Sequence, residues 1–196
     1  MDIDKLKILN QDEVNELYKM LAHLVKTLDK YCIPYLVDCG SLLGTIRHGG
    51  LIPWDDDIDI CIEEKDVPQV LWLKSIIEGE YQLRYASGKK YLKLKKDNLW
   101  IDIFIHKQGV YPQKHRQWRN FVIEEAFPSV KSKFGDIEVS VPKNYKKLLD
   151  DWFPKWESIA VVHHSHKSGK SRKSKCLKLE LTEELKKPYL PILKPN

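Results

Sequence analysis

The sequence predicts an α/β protein of the α+β kind, in which helices flank one mixed β-sheet. Three observations indicate this class: an amphipathic helix pattern near the start, several short segments with the residue types of strands, and helical patterns between and after them. A chain of 196 residues, 42% of them apolar, is long enough for one core. We therefore expect one folded domain over residues 1–162 and a basic Ser/Lys/His-rich tail over residues 163–196.

The first part of the domain is predicted as helix, strand, turn and short helix. Asn10 and Glu13 have the spacing of a capping box, and apolar residues follow at intervals of three and four. Residues 33–39 (IPYLVDC) are short and largely apolar, which suits a buried strand. Gly40 then supplies a turn, and residues 41–48 (SLLGTIRH) favour a short helix.

The rest of the domain alternates strand and helix patterns. Residues 58–62 (IDICI) predict a second strand, and the helix after it is expected to be capped by Asp66 and to end at Gly79. Asp97 and Asn98 supply a turn between two later strands. Further strands are predicted at 81–86, 90–96, 98–107 and 135–142, and further helices at 116–127 and 143–153.

The positive charge of the chain is concentrated in one segment. The formal net charge is +5, but residues 163–178 hold six Lys or Arg and no acid, so the remainder carries −1. Three histidines in this segment lack an apolar frame, which favours a flexible tail over a metal site. We expect the tail to contact anionic polymers or surfaces, whereas nucleic acid is not the expected partner of the domain.

The cysteines and the N-terminus indicate a protein of the reducing cytoplasm. The four cysteines are widely separated and form no Cys-x-x-Cys pair, so neither structural zinc nor a disulfide framework is expected. The first residues contain no apolar signal segment, and no apolar run is long enough to span a bilayer.

Acidic residues interrupt two strands that otherwise look buried. Along a strand, Asp55, Asp57 and Asp59 would project to one side, and Asp102 interrupts the apolar strand WIDIFI. Acid runs are more often solvated turn residues, but Asp57 and Asp59 lie among isoleucines of a core strand. If the two strands are neighbours, Asp57, Asp59 and Asp102 form one cluster whose repulsion a divalent cation relieves.

Hard oxygen ligands suit Mg²⁺ or Mn²⁺, and such sites are commonly completed by substrate phosphates. Gly40 and Ser41 lie between a strand and a helix, where backbone N–H groups and a hydroxyl can face an anion. A Gly-Ser pair is also a common plain turn. Together these residues favour chemistry on a phosphoryl group.

Residues 40–60 (GSLLGTIRHGGLIPWDDDIDI) resemble the signature of the LicD/fukutin family of phosphotransferases. The segment IDIFI around Asp102 and residues 139–156 are similar to later parts of that family, so the resemblance covers residues 12–156. It implies a polymerase-β-like nucleotidyltransferase core, with Asp57, Asp59 and Asp102 as metal ligands and Gly40 and Ser41 holding the donor phosphate. Asp55 is implied as an additional ligand or substrate contact.

The resemblance also implies a reaction. Family members move a phospho-alcohol, such as phosphocholine or ribitol phosphate, from a CDP-linked donor to a glycan hydroxyl and release CMP. In such a transfer we expect Asp102 to accept the hydroxyl proton, although a role as ligand alone fits as well. The same acids would serve a nucleotidyltransferase that releases pyrophosphate, and a non-catalytic binding module is a third interpretation.

Several basic and aromatic residues near the acids have two interpretations each. Arg47 is expected to bind phosphate or to pair with an aspartate, and His48 can act in the same way. Lys93 and Lys95 alternate on one strand, so they either reach the donor phosphates or form a solvated face. Tryptophans near the acids are expected to pack in the core rather than stack on substrate.

Overall fold

The structure is a computed structural model that describes residues 3–86, 91–106, 129–162 and 176–192. Helix α1 (Gln11–Lys30) begins at the predicted capping box: the Asn10 side chain accepts from the Glu13 N–H, and the Glu13 carboxylate accepts from the Asn10 N–H. Its apolar face is buried in the core. The predicted helix is confirmed. No helix among the described residues is long and apolar enough to cross a bilayer.

One five-stranded mixed sheet forms the centre of the domain, as predicted. The strand order is β1-β2-β5-β4-β3; β2 and β5 are parallel and every other pair is antiparallel. The strands are β1 (Leu36–Val37), β2 (Ile58–Glu63), β3 (Gln82–Ala86), β4 (Tyr91–Lys96) and β5 (Leu99–His106).

The register gives this sheet one apolar and one polar face. On the apolar face Ile58 pairs with Ile101, and both are fully buried. On the polar face Asp59 pairs with Asp102, and Asp102 pairs with Lys93 of the next strand. Because side chains alternate along each strand, this pairing brings charged residues of three strands together.

Short helices connect the first strands. Helix α2 (Cys39–Leu43) continues into a π-helical turn at Gly44–His48, where a single short helix was predicted. Two further helices, α3 (Val67–Trp72) and α4 (Lys74–Glu78), replace one predicted helix. Gly79 ends α4 with a φ of 47°, as expected.

Asp66 occupies the position before α3, but its side chain makes no capping hydrogen bond. The preceding residues Glu64–Asp66 form a 3₁₀ turn, and this gives Asp66 a helical backbone instead of the extended one that a capping side chain uses. The predicted cap is therefore wrong in its hydrogen bond, although the helix begins where it was expected.

The second half of the domain packs a hairpin and a helix against this core. The hairpin joins β6 (Val130–Phe134) to β7 (Ile137–Val141), of which only β7 was predicted, and helix α5 (Tyr145–Trp152) follows as predicted. The predicted helix at 116–127 lies outside the described residues.

Part of the predicted tail belongs to the fold. Strand β8 (Ile159–Val162) pairs with β9 (Leu177–Glu180), and Leu185 and Tyr189 beyond it are buried. Backbone pairing and apolar burial hold residues 177–192 against the domain. Residues 163–175, with the three histidines, lie outside the described residues, so their assignment to a basic tail stays a prediction.

Candidate active site

Three carboxylates converge on the polar face of the sheet. Each of Asp57, Asp59 and Asp102 offers an oxygen, and these atoms all lie within 4.8 Å of one another. Asp59 and Asp102 are direct neighbours on the parallel strands β2 and β5. Asp57 precedes β2 and is buried. The structure brings together the three acids that the sequence analysis singled out, and their role as metal ligands stays a prediction.

The acids before β2 do not follow the predicted strand alternation. The strand begins only at Ile58, and the Asp55 side chain accepts a hydrogen bond from the Asp56 N–H at 3.2 Å. Such a local side-chain bond competes with strand pairing. Asp56, which was expected on the opposite side, therefore lies with Asp55 and Asp57, and their oxygens again fall within 4.8 Å.

The crowding of these acids shows in the proton affinity of Asp59. Burial raises its pKa well above the ordinary value, and the negative charges of Asp57 and then Asp55 raise it further. A cluster of this kind has two ways to become neutral, which are to bind protons or to bind a cation. Carboxylate oxygens at this separation fit a hard divalent cation, so the residues present suit the Mg²⁺ or Mn²⁺ that the sequence led us to expect.

Two residues of the neighbouring strands contact the acids. Trp100 donates its Nε1–H to Asp57 Oδ2 at 3.1 Å, and Lys93 Nζ lies 3.1 Å from Asp102 Oδ1. The same ammonium lies 4.4 Å from the centroid of the Trp100 ring. Trp100 was expected to pack in the core and is instead a direct partner of the cluster. Lys93 pairs with an acid of the site, which neither of its two interpretations described, and a contact between Lys93 and donor phosphates stays a prediction.

The first turn of helix α2 approaches the acids from the other side. A Cβ atom on Gly40 would lie only 2.7 Å from Asp55 Oδ2, so glycine allows the carboxylate to approach the backbone here. Ser41 is buried, and its Oγ accepts a hydrogen bond from the Asp59 N–H at 2.9 Å. Gly40, Ser41, Asp55 and Asp59 therefore form one contiguous group. That Gly40 and Ser41 hold donor phosphate stays a prediction.

Arg47 and His48 contact the C-terminal part of the domain. Arg47 Nη1 donates to the carbonyls of Trp156 at 2.9 Å and Ile159 at 3.3 Å, and burial lowers the pKa of the guanidinium to about 10. His48 donates from Nε2 to the Leu185 carbonyl at 3.1 Å. Burial and the charge of Arg47 lower the pKa of His48 to about 3, so the ring is neutral. A contact between Arg47 and phosphate stays a prediction.

Asp38 is a site residue that the sequence analysis missed. It is buried at the end of β1, its Oδ1 accepts from the Cys39 N–H at 2.8 Å, and its Oδ2 lies 3.4 Å from His106 Nε2. Cys61 adds its thiol to the same group. An aspartate directly before a short helix is a capping signal, and that signal was available in the sequence.

The fold and the acids define a class of protein: a mixed α+β domain with carboxylates clustered at adjacent strands of its sheet. A profile described as "LicD/FKTN/FKRP, nucleotidyltransferase domain" matches residues 32–144, which is more than half of the chain. The chain belongs to this family. The matched range contains Gly40, Ser41 and the three clustered acids, so the resemblance stated from the sequence is confirmed.

Three relatives show how far the similarity extends. "Uncharacterized protein RP689" of Rickettsia prowazekii is 32% identical over 191 residues, covering 90% of this chain and 69% of that protein. Human "Ribitol 5-phosphate transferase FKRP" is 26% identical over 65% of this chain and 29% of its own length. "Lipopolysaccharide cholinephosphotransferase LicD" of Haemophilus influenzae is 56% identical over 32 residues, or 16% of this chain and 12% of that protein. The chain thus spans less than a third of FKRP.

Proposed function

We propose that this protein transfers a phospho-alcohol of the phosphocholine or polyol-phosphate type from a CDP-linked donor to a carbohydrate hydroxyl and releases CMP. The observation that carries the proposal is the convergence of Asp57, Asp59 and Asp102 inside a domain of the LicD/FKTN/FKRP family. The names of FKRP, a ribitol 5-phosphate transferase, and of LicD, a cholinephosphotransferase, support the class of group that is moved.

Asp57, Asp59 and Asp102 are the residues that would hold Mg²⁺ or Mn²⁺. The support is physical: three acids within 4.8 Å of one another leave Asp59 with a raised pKa, and two strands fix them in this arrangement. When bound, the cation would neutralise donor phosphate oxygens and stabilise the negative charge that develops on CMP. Trp100 keeps the Asp57 carboxylate oriented through its 3.1 Å hydrogen bond.

Donor binding is assigned to the residues around this cluster. We place the donor phosphates against Gly40 and Ser41, with Asp55 as a further contact and Arg47 as a candidate cation. Lys93 and Lys95 add two positive charges, and together with Asn98 and Trp100 they line an open depression beside the acids. Ammonium groups and an indole ring are suited to a phosphate and to a base or sugar, respectively.

The transfer step follows from these positions. The acceptor hydroxyl oxygen bonds to the phosphorus that carries the alcohol, and the bond from that phosphorus to the CMP oxygen breaks. CMP leaves with the electron pair of that bond. The hydroxyl proton goes to Asp102, which lies on a different strand from Asp59 and belongs to the same cluster.

The proposed function also includes an acceptor, an anionic partner of the basic segment and a cellular setting. The acceptor is a glycan or glycoconjugate, by the same family relationship. The basic segment at 163–178 binds an anionic polymer or surface through its positive charges. We propose a cytoplasmic setting, in which the acceptor is a precursor. Activity found only in a membrane or secreted fraction after cell fractionation would contradict this setting.

The reaction is tested by chromatographic detection of CMP from a panel of CDP-alcohols in the presence of a carbohydrate acceptor, with Mg²⁺ or Mn²⁺ and with a chelator. The proposal predicts metal-dependent CMP release from one donor, and loss of this release in Asp57→Asn and Asp59→Asn. Asp136→Asn is the matched control, because Asp136 is an exposed acid in the β6–β7 turn. Pyrophosphate released from a nucleoside triphosphate, with no CMP from any CDP-alcohol, would support a nucleotidyltransferase instead.

A further inference from the structure

We propose that residues 38–41, which are the N-cap and first turn of helix α2, position the metal ligand Asp59, and that the Ser41 hydroxyl fixes this aspartate before any donor binds. The inference rests on the proposed function, because it takes Asp59 as a ligand. It goes further by giving Ser41 and Asp38 a role that does not depend on the donor. Ser41 and Asp38 are positioning residues in this account, since they act through Asp59.

The backbone of Asp59 is bound by this turn at both of its polar groups. The Asp38 N–H donates to the Asp59 carbonyl at 3.0 Å, and the Asp59 N–H donates to Ser41 Oγ at 2.9 Å. In a strand, the N–H and C=O of one residue point to the same side, so β5 supplies neither partner. On the side of the sheet that faces β1, the backbone of Asp59 is therefore held by the N–H of Asp38 and the hydroxyl oxygen of Ser41.

The turn itself is held in an unusual conformation. Cys39 has a φ of 46°, which is uncommon for a residue other than glycine. The Asp38 side chain accepts from the Cys39 N–H and also lies 3.4 Å from His106 Nε2, so strand β5 helps to hold the turn. Backbone strain of this kind persists only where the surrounding structure fixes it, and it is concentrated at functional sites.

The turn also reaches a second acid of the site. Gly40 lies so close to Asp55 Oδ2 that a Cβ atom would stand 2.7 Å away, while Ser41 holds Asp59 through its backbone. Adjacent residues of one turn thus contact two acids of the site. Residues that orient a metal ligand affect metal affinity by about 10- to 100-fold when they are changed. Phosphate binding alone would give Ser41 no influence on metal affinity in the absence of donor.

The test is Mn²⁺ binding to the purified protein without donor, followed by the electron paramagnetic resonance signal of free Mn²⁺. Ser41→Ala removes the acceptor for the Asp59 N–H, and we expect Mn²⁺ affinity to fall about 10- to 100-fold. Ser41→Cys keeps the shape of the side chain with a weaker acceptor, and it is expected to lower the affinity as well. If Ser41→Ala does not fold, Ser41→Cys carries the test.

Thr45→Val is the matched control. The Thr45 hydroxyl is buried in the same helical segment and donates to the Ser41 carbonyl at 2.7 Å, but it does not contact Asp59. This variant should lose a similar amount of thermal stability and keep Mn²⁺ affinity within about twofold of the wild type, since it removes one buried hydrogen bond of the same kind.

The outcomes separate this inference from the proposed function. Unchanged Mn²⁺ affinity in Ser41→Ala would overturn the inference, and so would an equal loss in Thr45→Val, because the effect would then come from stability. A wild-type protein that binds no Mn²⁺ would overturn both the metal site and its positioning. Weakened Mn²⁺ binding in Ser41→Ala, without CMP from any donor, would support the inference and contradict the transfer reaction.

Discussion

The repulsion within the acid cluster predicts that Asp59→Asn stabilises the metal-free protein. The oxygens of Asp57, Asp59 and Asp102 lie within 4.8 Å of one another. At this separation and an effective dielectric constant of about 20, two carboxylates repel by about 3.5 kcal/mol. Lys93 offsets part of the charge of Asp102. After this offset and solvent screening, we expect Asp59→Asn to raise the free energy of unfolding by about 1–3 kcal/mol at pH 7.5 in a chelator.

The stability of the metal-free wild type is expected to fall as the pH rises, because of the raised pKa of Asp59. The pKa of Asp59 is raised in the folded protein by burial and by its acidic neighbours, compared with about 3.9 in the unfolded chain. The unfolded chain therefore releases this proton at lower pH than the folded protein does. Stability of the metal-free wild type falls as the pH rises from about 3.9 towards the raised value. The difference from Asp59→Asn should accordingly widen between acidic pH and pH 7.5.

Urea unfolding followed by tryptophan fluorescence measures this difference, with Asp136→Asn as the control for loss of an exposed acid. Mn²⁺ at 1,000 times its Kd should reverse the order, since it adds about 4.1 kcal/mol to the wild type, which is more than the expected difference. An Asp59→Asn protein that is no more stable than the wild type in chelator, with both proteins equally affected by Mn²⁺, would show that repulsion within the acid cluster does not destabilise the metal-free protein.

Two other predictions concern neighbours of the cluster. Gly40→Ala places a Cβ atom 2.7 Å from the flexible carboxylate of Asp55. We therefore expect kcat/KM for the donor to fall about tenfold, while the free energy of unfolding changes by less than about 1 kcal/mol. An unchanged kcat/KM would contradict a role for this contact. Lys93→Met removes the partner of Asp102, so the metal-free protein should lose about 1 kcal/mol in urea unfolding, whereas Lys95→Met should not. Equal losses in the two lysine variants would contradict the specific ion pair.

Local patterns in the sequence predicted much of the fold. The capping box at Asn10 and the apolar spacing of helix α1 depend on residues close in the chain, and the structure has both. The alternation of side chains in β2 and β5 could be predicted for the same reason, whereas the predicted turn at Gly40 is wrong, because helix α2 already begins at Cys39 and contains Gly40. The cluster of Asp59 with Asp102 required one further assumption, that their strands are neighbours, and the register bears it out.

Contacts between residues that are distant in the sequence could not be predicted from such local patterns. The contact of Lys93 with Asp102 follows from the β4–β5 register, and Trp100 of β5 reaches Asp57, which directly precedes the neighbouring strand β2. Asp55 and its neighbours form a local turn instead of strand, because an aspartate side chain bonds to the following N–H.

The contacts of the C-terminal part of the fold could not be predicted from local patterns either. Residues 163–175 separate β8 from β9, and their basic, polar composition gave no sign that a strand would follow. Arg47 lies within the family signature, yet the partners that the structure gives it are two carbonyls near β8. The partners of Arg47 lie more than a hundred residues away in the sequence. The pairing of β8 with β9 joins strands on either side of residues 163–175.

We propose that the Asp57, Asp59 and Asp102 cluster catalyses the transfer of a phospho-alcohol with release of CMP. Phosphorus NMR of the protein with a CDP-alcohol, Mg²⁺ and a carbohydrate acceptor follows this reaction in one sample, because the signals of donor, CMP and product are separate. We expect CMP and a phosphodiester product to appear together, and neither to appear with Asp59→Asn. A wild-type spectrum that shows no CMP with any CDP-alcohol, or an Asp59→Asn variant that forms CMP at the wild-type rate, would contradict it.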